Sequence, residues 1–211
     1  RDYYASRGLG DVYKRQVETH EKGWVNNELQ EYVDSAENIQ VKDGKLIINP
    51  VKKVTDGDTG STKEAASYTS GRVSTQNKQT FIYGRFECRA KVPKGQGYLP
   101  AFWLMANDEN VYGQWPRCGE IDCMEVMGQE TNKAYGTLHY GNPHSQSQGT
   151  YTITDGADFS DDFHIYTCDW EPGKITWYVD GVKYHEESEW HSTTVGQGTC
   201  LLYTSPSPRD A

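Results

Sequence analysis

The chain has 211 residues, enough for one domain with a sizeable core. Its 35% hydrophobic content includes no apolar run long enough to span a membrane, so a helical membrane protein is excluded. A net charge of -9 argues against nucleic acid or an anionic lipid surface as partner, since both reward basic patches.

Arg1 to Gln16 has no initiator Met and no signal peptide, and it looks foreign to the rest of the chain. Residues 1–16 and 200–211 are therefore expected to be artefactual or disordered, similar to translated adapter sequence at the ends of fragmentary reading frames. Val17 to Tyr32 brings Gly23-Trp24-Val25-Asn26-Asn27-Glu28, a polar loop with one large aromatic. Asn is at home in such turns. Ile39 to Lys42, the turn Asp43-Gly44, and Lys45 to Ile48 read as a β-hairpin. Asp56 to Ala66, rich in Asp, Gly, Thr and Ser, reads as an exposed loop. Phe86, Cys88, Ala90 and Val92 alternate with Glu87, Arg89 and Lys91, the period of a half-buried strand. Pro93 to Gly97 then turns the chain into a strand over Tyr98 to Ala106. Further strands are expected at Ala134 to Tyr140, Phe163 to Trp170, Ile175 to Val179 and Val182 to Tyr184, the last three joined by tight turns. Nowhere does an apolar period of 3.6 stand out, so no helix is expected. Many short strands and 21 Gly favour an all-β sandwich.

The richest chemistry lies in Gly119-Glu120-Ile121-Asp122-Cys123-Met124-Glu125-Val126-Met127-Gly128. On a strand Glu120 and Asp122 share a face, whereas Glu125 has the opposite parity. A regular strand would send Glu125 into the core, where an ionised carboxylate is costly. One extra residue around Cys123-Met124, a β-bulge, would return all three acids to one row. Clustered carboxyls cannot all ionise at neutral pH, so one holds a proton beside an ionised neighbour. That combination is the equipment for glycoside hydrolysis. An acidic strand edge seldom has such apolar flanks, and a calcium loop would be irregular and rich in Gly and Asn.

The remaining candidates are less specific. Six Trp and 15 Tyr offer rings that could stack on sugars, although core filling explains any single one equally well. Five cysteines, at positions 88, 118, 123, 168 and 200, form no CxxC and no metal spacing, and read as buried free thiols. If Cys200 belongs to an artefactual end, four remain and disulfides become arithmetically possible.

Glu-Ile-Asp-Cys-Met-Glu resembles the bulged E-x-D-x-x-E signature of glycoside hydrolase family 16. Asn26 to Gln30, Gly84 to Glu87, Leu99 to Trp103, Trp115-Pro116 and Gly136 to Tyr140 resemble, in order, segments of its laminarinase-like members. The likeness covers roughly residues 17–199, which makes this the expected catalytic domain, partial at both ends. It implies a jelly roll of the concanavalin A-like type with a long concave cleft suited to endo cleavage. By matching positions Glu120 is the expected nucleophile, Glu125 the acid/base, and Asp122 the group that holds their pKa values apart. The two glutamates stand ~13 Å apart along a flat strand at ~3.3 Å per residue, so sheet curvature must bring them to the ~5–5.5 Å of a retaining pair. Trp115 is expected to contact sugar. Trp103 is balanced between cleft and core, His139 leans to the cleft, and Asn27 is as readily a loop cap as a substrate contact. Leu99 stands where the family usually has Trp.

The same resemblance implies a polysaccharide partner, a monomer, and a secreted or periplasmic parent protein. No metal is required for the chemistry; members of the family often carry a structural calcium away from the cleft, at terminal segments missing here, so that site is not expected to be occupied in this chain. Laminarin is the first substrate choice and mixed-linkage β-1,3-1,4-glucan the second. Agar and carrageenan call for a more basic cleft than this acidic chain offers. A non-catalytic lectin-like module is the rival class, but retention of both glutamates counts against it. A truncated, inactive chain with unpaired sheet edges is the remaining alternative.

Overall fold

The computed structural model describes residues 14–53 and 67–190. The expected loop over residues 56–66, the segment 200–211 with Cys200, and most of residues 1–16 lie outside them. The chain divides after Thr80 into two compact units.

In the first unit β1 (Gln16–Val17) pairs antiparallel with β7 (Val73–Ser74). Between them, β2 (Gln30–Tyr32) runs parallel to β6 (Ser67–Ser70), and β6 also pairs antiparallel with β5 (Val51–Lys53). The expected hairpin is present as β3 (Ile39–Lys42) and β4 (Lys45–Ile48). Its turn residues Asp43 and Gly44 both have positive φ, 51° and 72°, which is why Asp-Gly closes it in two residues. Asn38 anchors the unit from the inside, donating to Asn49 O at 2.9 Å and Thr69 Oγ1 at 3.1 Å.

The second unit carries two antiparallel four-stranded sheets. One consists of β9 (Ala101–Met105), β10 (Glu120–Glu125), β11 (Lys133–Tyr140) and β12 (Ser145–Thr152), in the order β12-β11-β10-β9. The other joins β8 (Gly84–Ala90) to β13 (His164–Glu171), β14 (Lys174–Val179) and β15 (Val182–Glu187), in the order β15-β14-β13-β8. Their inner faces form one core: Ile121, Cys123, Leu138 and Tyr140 from the first sheet pack with Cys168, Trp170, Ile175 and Trp177 from the second. A neighbouring cluster gathers Met124, Val126, Ala134, Phe159, Tyr166 and Val179. Glycine is required where the sheets touch most closely, since a Cβ on Gly136 would lie 2.4 Å from the Trp177 ring. The all-β sandwich expected from the strand pattern is therefore the architecture observed.

Two expectations need correction. A helix does exist: α1 (Glu109–Tyr112) is a single turn, capped where Asp108 Oδ1 accepts from Asn110 N at 2.8 Å. Four residues are too few to display an apolar period, so only the capping Asp could have betrayed it. The strand expected over Tyr98 to Ala106 is shorter, Ala101–Met105. β12 was not foreseen, because Ser-Gln-Ser-Gln-Gly-Thr-Tyr-Thr offers an edge strand with little apolar alternation. Cys118, Cys123 and Cys168 are buried free thiols and Cys88 is half-buried, as the composition suggested. Among the described residues no helix is long and apolar enough to cross a membrane.

Candidate active site

Everything at the site stems from a one-residue slip in β10. Against β11, Glu120 faces His139 and Asp122 faces Thr137, but Glu125 faces Tyr135. Three residues of β10 thus span two of β11. Against β9 the same slip falls between Asp122, opposite Trp103, and Met124, opposite Phe102. Cys123 and Met124 both enter the core, and Val126 joins them there. The carboxylate of Glu125 returns to the outer face with those of Glu120 and Asp122, as the parity argument requires.

Cross-strand partners share a face, so the register also lays out the surroundings. One row holds Met105, Glu120, His139 and Gln146; the next holds Trp103, Asp122, Thr137 and Gln148; the third holds Ala101, Glu125, Tyr135 and Thr150. Trp103 therefore stands on the acidic face of β9 rather than in the core, and it is half-buried. Trp115 precedes β10 in the loop 113–119, where Gly119 at φ 77° turns the chain into the strand. Its indole Nε1 donates to Glu120 Oε2 at 2.6 Å while its ring remains largely exposed. His139 Nε2 meets Asp122 Oδ2 at 3.2 Å. Asn27 belongs to the first unit, exposed in a turn with φ 53°, a conformation that Asn tolerates better than most residues. Five of the six other candidates lie on the outer face of a single sheet, and Trp115 hydrogen-bonds one of them. Leu99 is exposed.

The electrostatics divide the three acids. Burial, reinforced by the charges of Asp122 and Glu120 and opposed by that of His139, pushes Glu125 up to about 7. Burial alone would lower His139, yet its hydrogen bond to Asp122 and the charges of Asp122, Glu120 and Glu125 hold it above the usual imidazole range. Glu125 is thus a carboxyl that keeps its proton near neutral pH. Glu120, by contrast, presents Oε2 to the indole N–H of Trp115. Among the described residues no three His, Cys, Asp or Glu side chains converge to hold a metal ion.

Below the surface, Trp177 Nε1 from the opposite sheet donates to the main-chain oxygen of Asp122 at 2.8 Å. A bulge interrupts the ladder, so its backbone groups need such outside partners. Sequence reasoning missed one neighbour altogether. His144, in the turn 141–144 between β11 and β12, places Nε2 3.0 Å from His139 Nδ1 and stacks near Trp115 at 4.9 Å between ring centroids. The signal available was a second His five residues beyond His139 across Gly-Asn-Pro.

The chain is similar to several known proteins. A family model described as "Glycosyl hydrolases family 16" matches residues 26–199. The "Glucan endo-1,3-beta-glucosidase A1" of Niallia circulans is 40% identical over 191 residues, covering 87% of this chain and 27% of that protein. A "Glucan endo-1,3-beta-glucosidase" of Cryptopygus antarcticus is 42% identical over 169 residues, covering 79% of this chain and 60% of the relative. Among solved structures, the laminarinase catalytic domain from Thermotoga maritima MSB8 superposes with a TM-score of 0.72 at 36% identity, covering 87% of this chain and 74% of that one. The chain thus spans less than two thirds of the length of these two curated relatives.

Proposed function

The chain belongs to glycosyl hydrolase family 16, and on that premise we propose that residues 17–199 are the catalytic domain of a retaining, endo-acting hydrolase of β-1,3-glucan. The observation that carries the reading is the register slip in β10, which returns Glu125 to the face of Glu120 and Asp122. The two curated relatives carry 1,3-β-glucan in their names, and the geometry supplies the means.

In the first step the Glu120 carboxylate attacks the anomeric carbon while Glu125 delivers its proton to the leaving glycosidic oxygen. The covalent glycosyl-enzyme forms with inversion. Glu125, now ionised, takes a proton from water, which attacks the same carbon and releases Glu120. Two inversions give net retention. Asp122 supports the division of labour, since its charge is the second cause of Glu125's raised pKa after burial. The Trp115 N–H keeps the nucleophile oriented. Carboxyl groups and water complete the cycle, so no cofactor enters it. Trp115 and Trp103 would stack on sugar rings, with His139 as a further contact.

A polymeric substrate cannot cross a membrane intact, which supports a secreted or periplasmic protein acting where the glucan lies. Mixed-linkage β-1,3-1,4-glucan is the second substrate reading, supported by the likeness to the "Endo-1,3-1,4-beta-glycanase EglC" of Rhizobium meliloti, 36% identical over 166 residues.

The test is reducing-sugar release from laminarin, lichenan, agarose and carrageenan by the complete protein, with Glu120→Gln and Glu125→Gln beside it. Laminarin should be cleaved fastest, and loss of the acid/base should cost about 10²–10⁴-fold in turnover. Near-normal turnover in either variant would refute the role assigned to that residue, and release from carrageenan alone would refute the substrate class.

A further inference from the structure

The outer face holds a side chain that the glucanase reaction does not use. His144 is exposed at the tip of the β11–β12 turn, yet it touches both arms of the site. Toward β11 its Nε2 lies 3.0 Å from His139 Nδ1, with the two rings stacked at 5.2 Å between centroids. Toward the loop 113–119 its ring packs on Trp115, whose N–H holds Glu120. The turn that carries it is tied to that loop as well, because Asn142, oriented to accept, receives Arg117 Nε at 3.0 Å.

Hydrogen-bond chemistry makes this arrangement directional. Asp122 is an acceptor when ionised, so His139 Nε2 must carry hydrogen. His139 Nδ1 is then a donor in the imidazolium and an acceptor in the neutral ring. His144 Nε2 can take the opposite part in either case, but only one proton fits between the two nitrogens. The groups around His139 are Glu120, Asp122 and Glu125 from β10, uncharged Gln146 opposite it on β12, Trp115 from the loop, and His144 from the turn. Arg117 is engaged by Asn142. His144 is thus the neighbour in this group that can accept a proton from Nδ1 and is itself open to water.

We propose that His144 is a positioning residue: it holds His139 in the doubly donating form against Asp122 and connects that pair to solvent through one shared proton. Asp122, His139 and His144 then act as a single chain from the carboxylate row to bulk water. The charge that His139 carries lowers the pKa of Glu125, so the setting of the chain reaches the acid/base without contact. In relation to catalysis the inference rests on the proposed glucanase reaction. Its test does not, because it is read without substrate.

The experiment tracks the imidazole resonances of His139 by NMR across pH in the complete protein. His144→Phe keeps a ring on Trp115 and removes the acceptor, while His144→Gln keeps a polar acceptor without the ring. In the Phe variant the His139 midpoint should fall by about one unit, the scale of one charge-assisted hydrogen bond. Gln should recover at least half of that fall. A midpoint that stays within about 0.2 unit of the parent in the Phe variant, or falls equally in both, overturns the proposal. A structural role alone would leave the midpoint where it was. Laminarin turnover measured beside it separates the two readings: a parent that cleaves nothing while the midpoint moves refutes the glucanase and leaves the chain. Where turnover is present, the basic limb of the Phe variant should move to higher pH with little change in KM.

Discussion

Replacing Glu125 by Gln should stabilise the protein, and only above the pH at which an ordinary glutamate ionises. The folded state holds this carboxyl at about 7 against an ordinary 4.5. A pKa raised by folding leaves stability intact below the unfolded value and removes it as pH climbs through the folded one. The loss therefore begins near pH 4.5 and is complete just above 7. Taken at full size the shift corresponds to about 3 kcal/mol. Glu125 keeps part of its surface in water, and screening reduces the figure to about 1.5–2 kcal/mol. A neutral Gln of the same shape escapes that cost, so melting should rise by about 3–8 °C at pH 8 for a chain of this size and by nothing at pH 4. Thermal unfolding of parent and variant, monitored by Trp fluorescence at several values between pH 4 and 8, reads the difference. An offset independent of pH, or one larger at pH 4 than at pH 8, would mean that Glu125 is not held in a charge-averse site.

On the proposed mechanism glucan hydrolysis should fall as pH rises through about 7, where Glu125 loses its proton; a kcat/KM profile flat to pH 9 would contradict this. Trp115→Phe keeps the ring and deletes the N–H on Glu120. It should lower kcat about tenfold or more with KM little changed, the mark of an interaction spent in the transition state. Gly136→Ala would drive a Cβ to 2.4 Å from Trp177 and 2.5 Å from the Tyr184 hydroxyl. The overpacking should cost about 1–3 kcal/mol in denaturant unfolding, and an unchanged midpoint would mean that the sheets have room between them.

Parity was enough to place the bulge. Three acids with one out of phase, among residues that belong in a core, leave the chain one inexpensive solution, and the register of β10 adopts it. The Asp43-Gly44 hairpin and the strand around Phe86, Cys88 and Ala90 were equally legible, because each is fixed by neighbours in sequence. β12 was illegible for the opposite reason: its pairing is supplied by β11, and its small and polar residues announce nothing by themselves. Trp103 shows the same limit within the site. Its type fits core and cleft alike, and only the pairing with Asp122 decides the face.

The contacts that hold the site come from the opposite sheet and from a turn, and neither source is local in sequence. A bulge is tolerated only where the backbone it leaves unpaired finds another partner, and here Trp177 Nε1 serves the Asp122 carbonyl from 55 residues away. Gly136 belongs to the same requirement, since any side chain there would push Trp177 off that carbonyl. His144 reaches back over its turn to a histidine five residues earlier and to a tryptophan on another loop. The acids could be read from a hexapeptide because parity and charge act along the strand. The protonation of Glu125 depends on groups that only a closed sandwich brings beside it, so the motif places the acids and the fold sets the pH at which Glu125 gives up its proton.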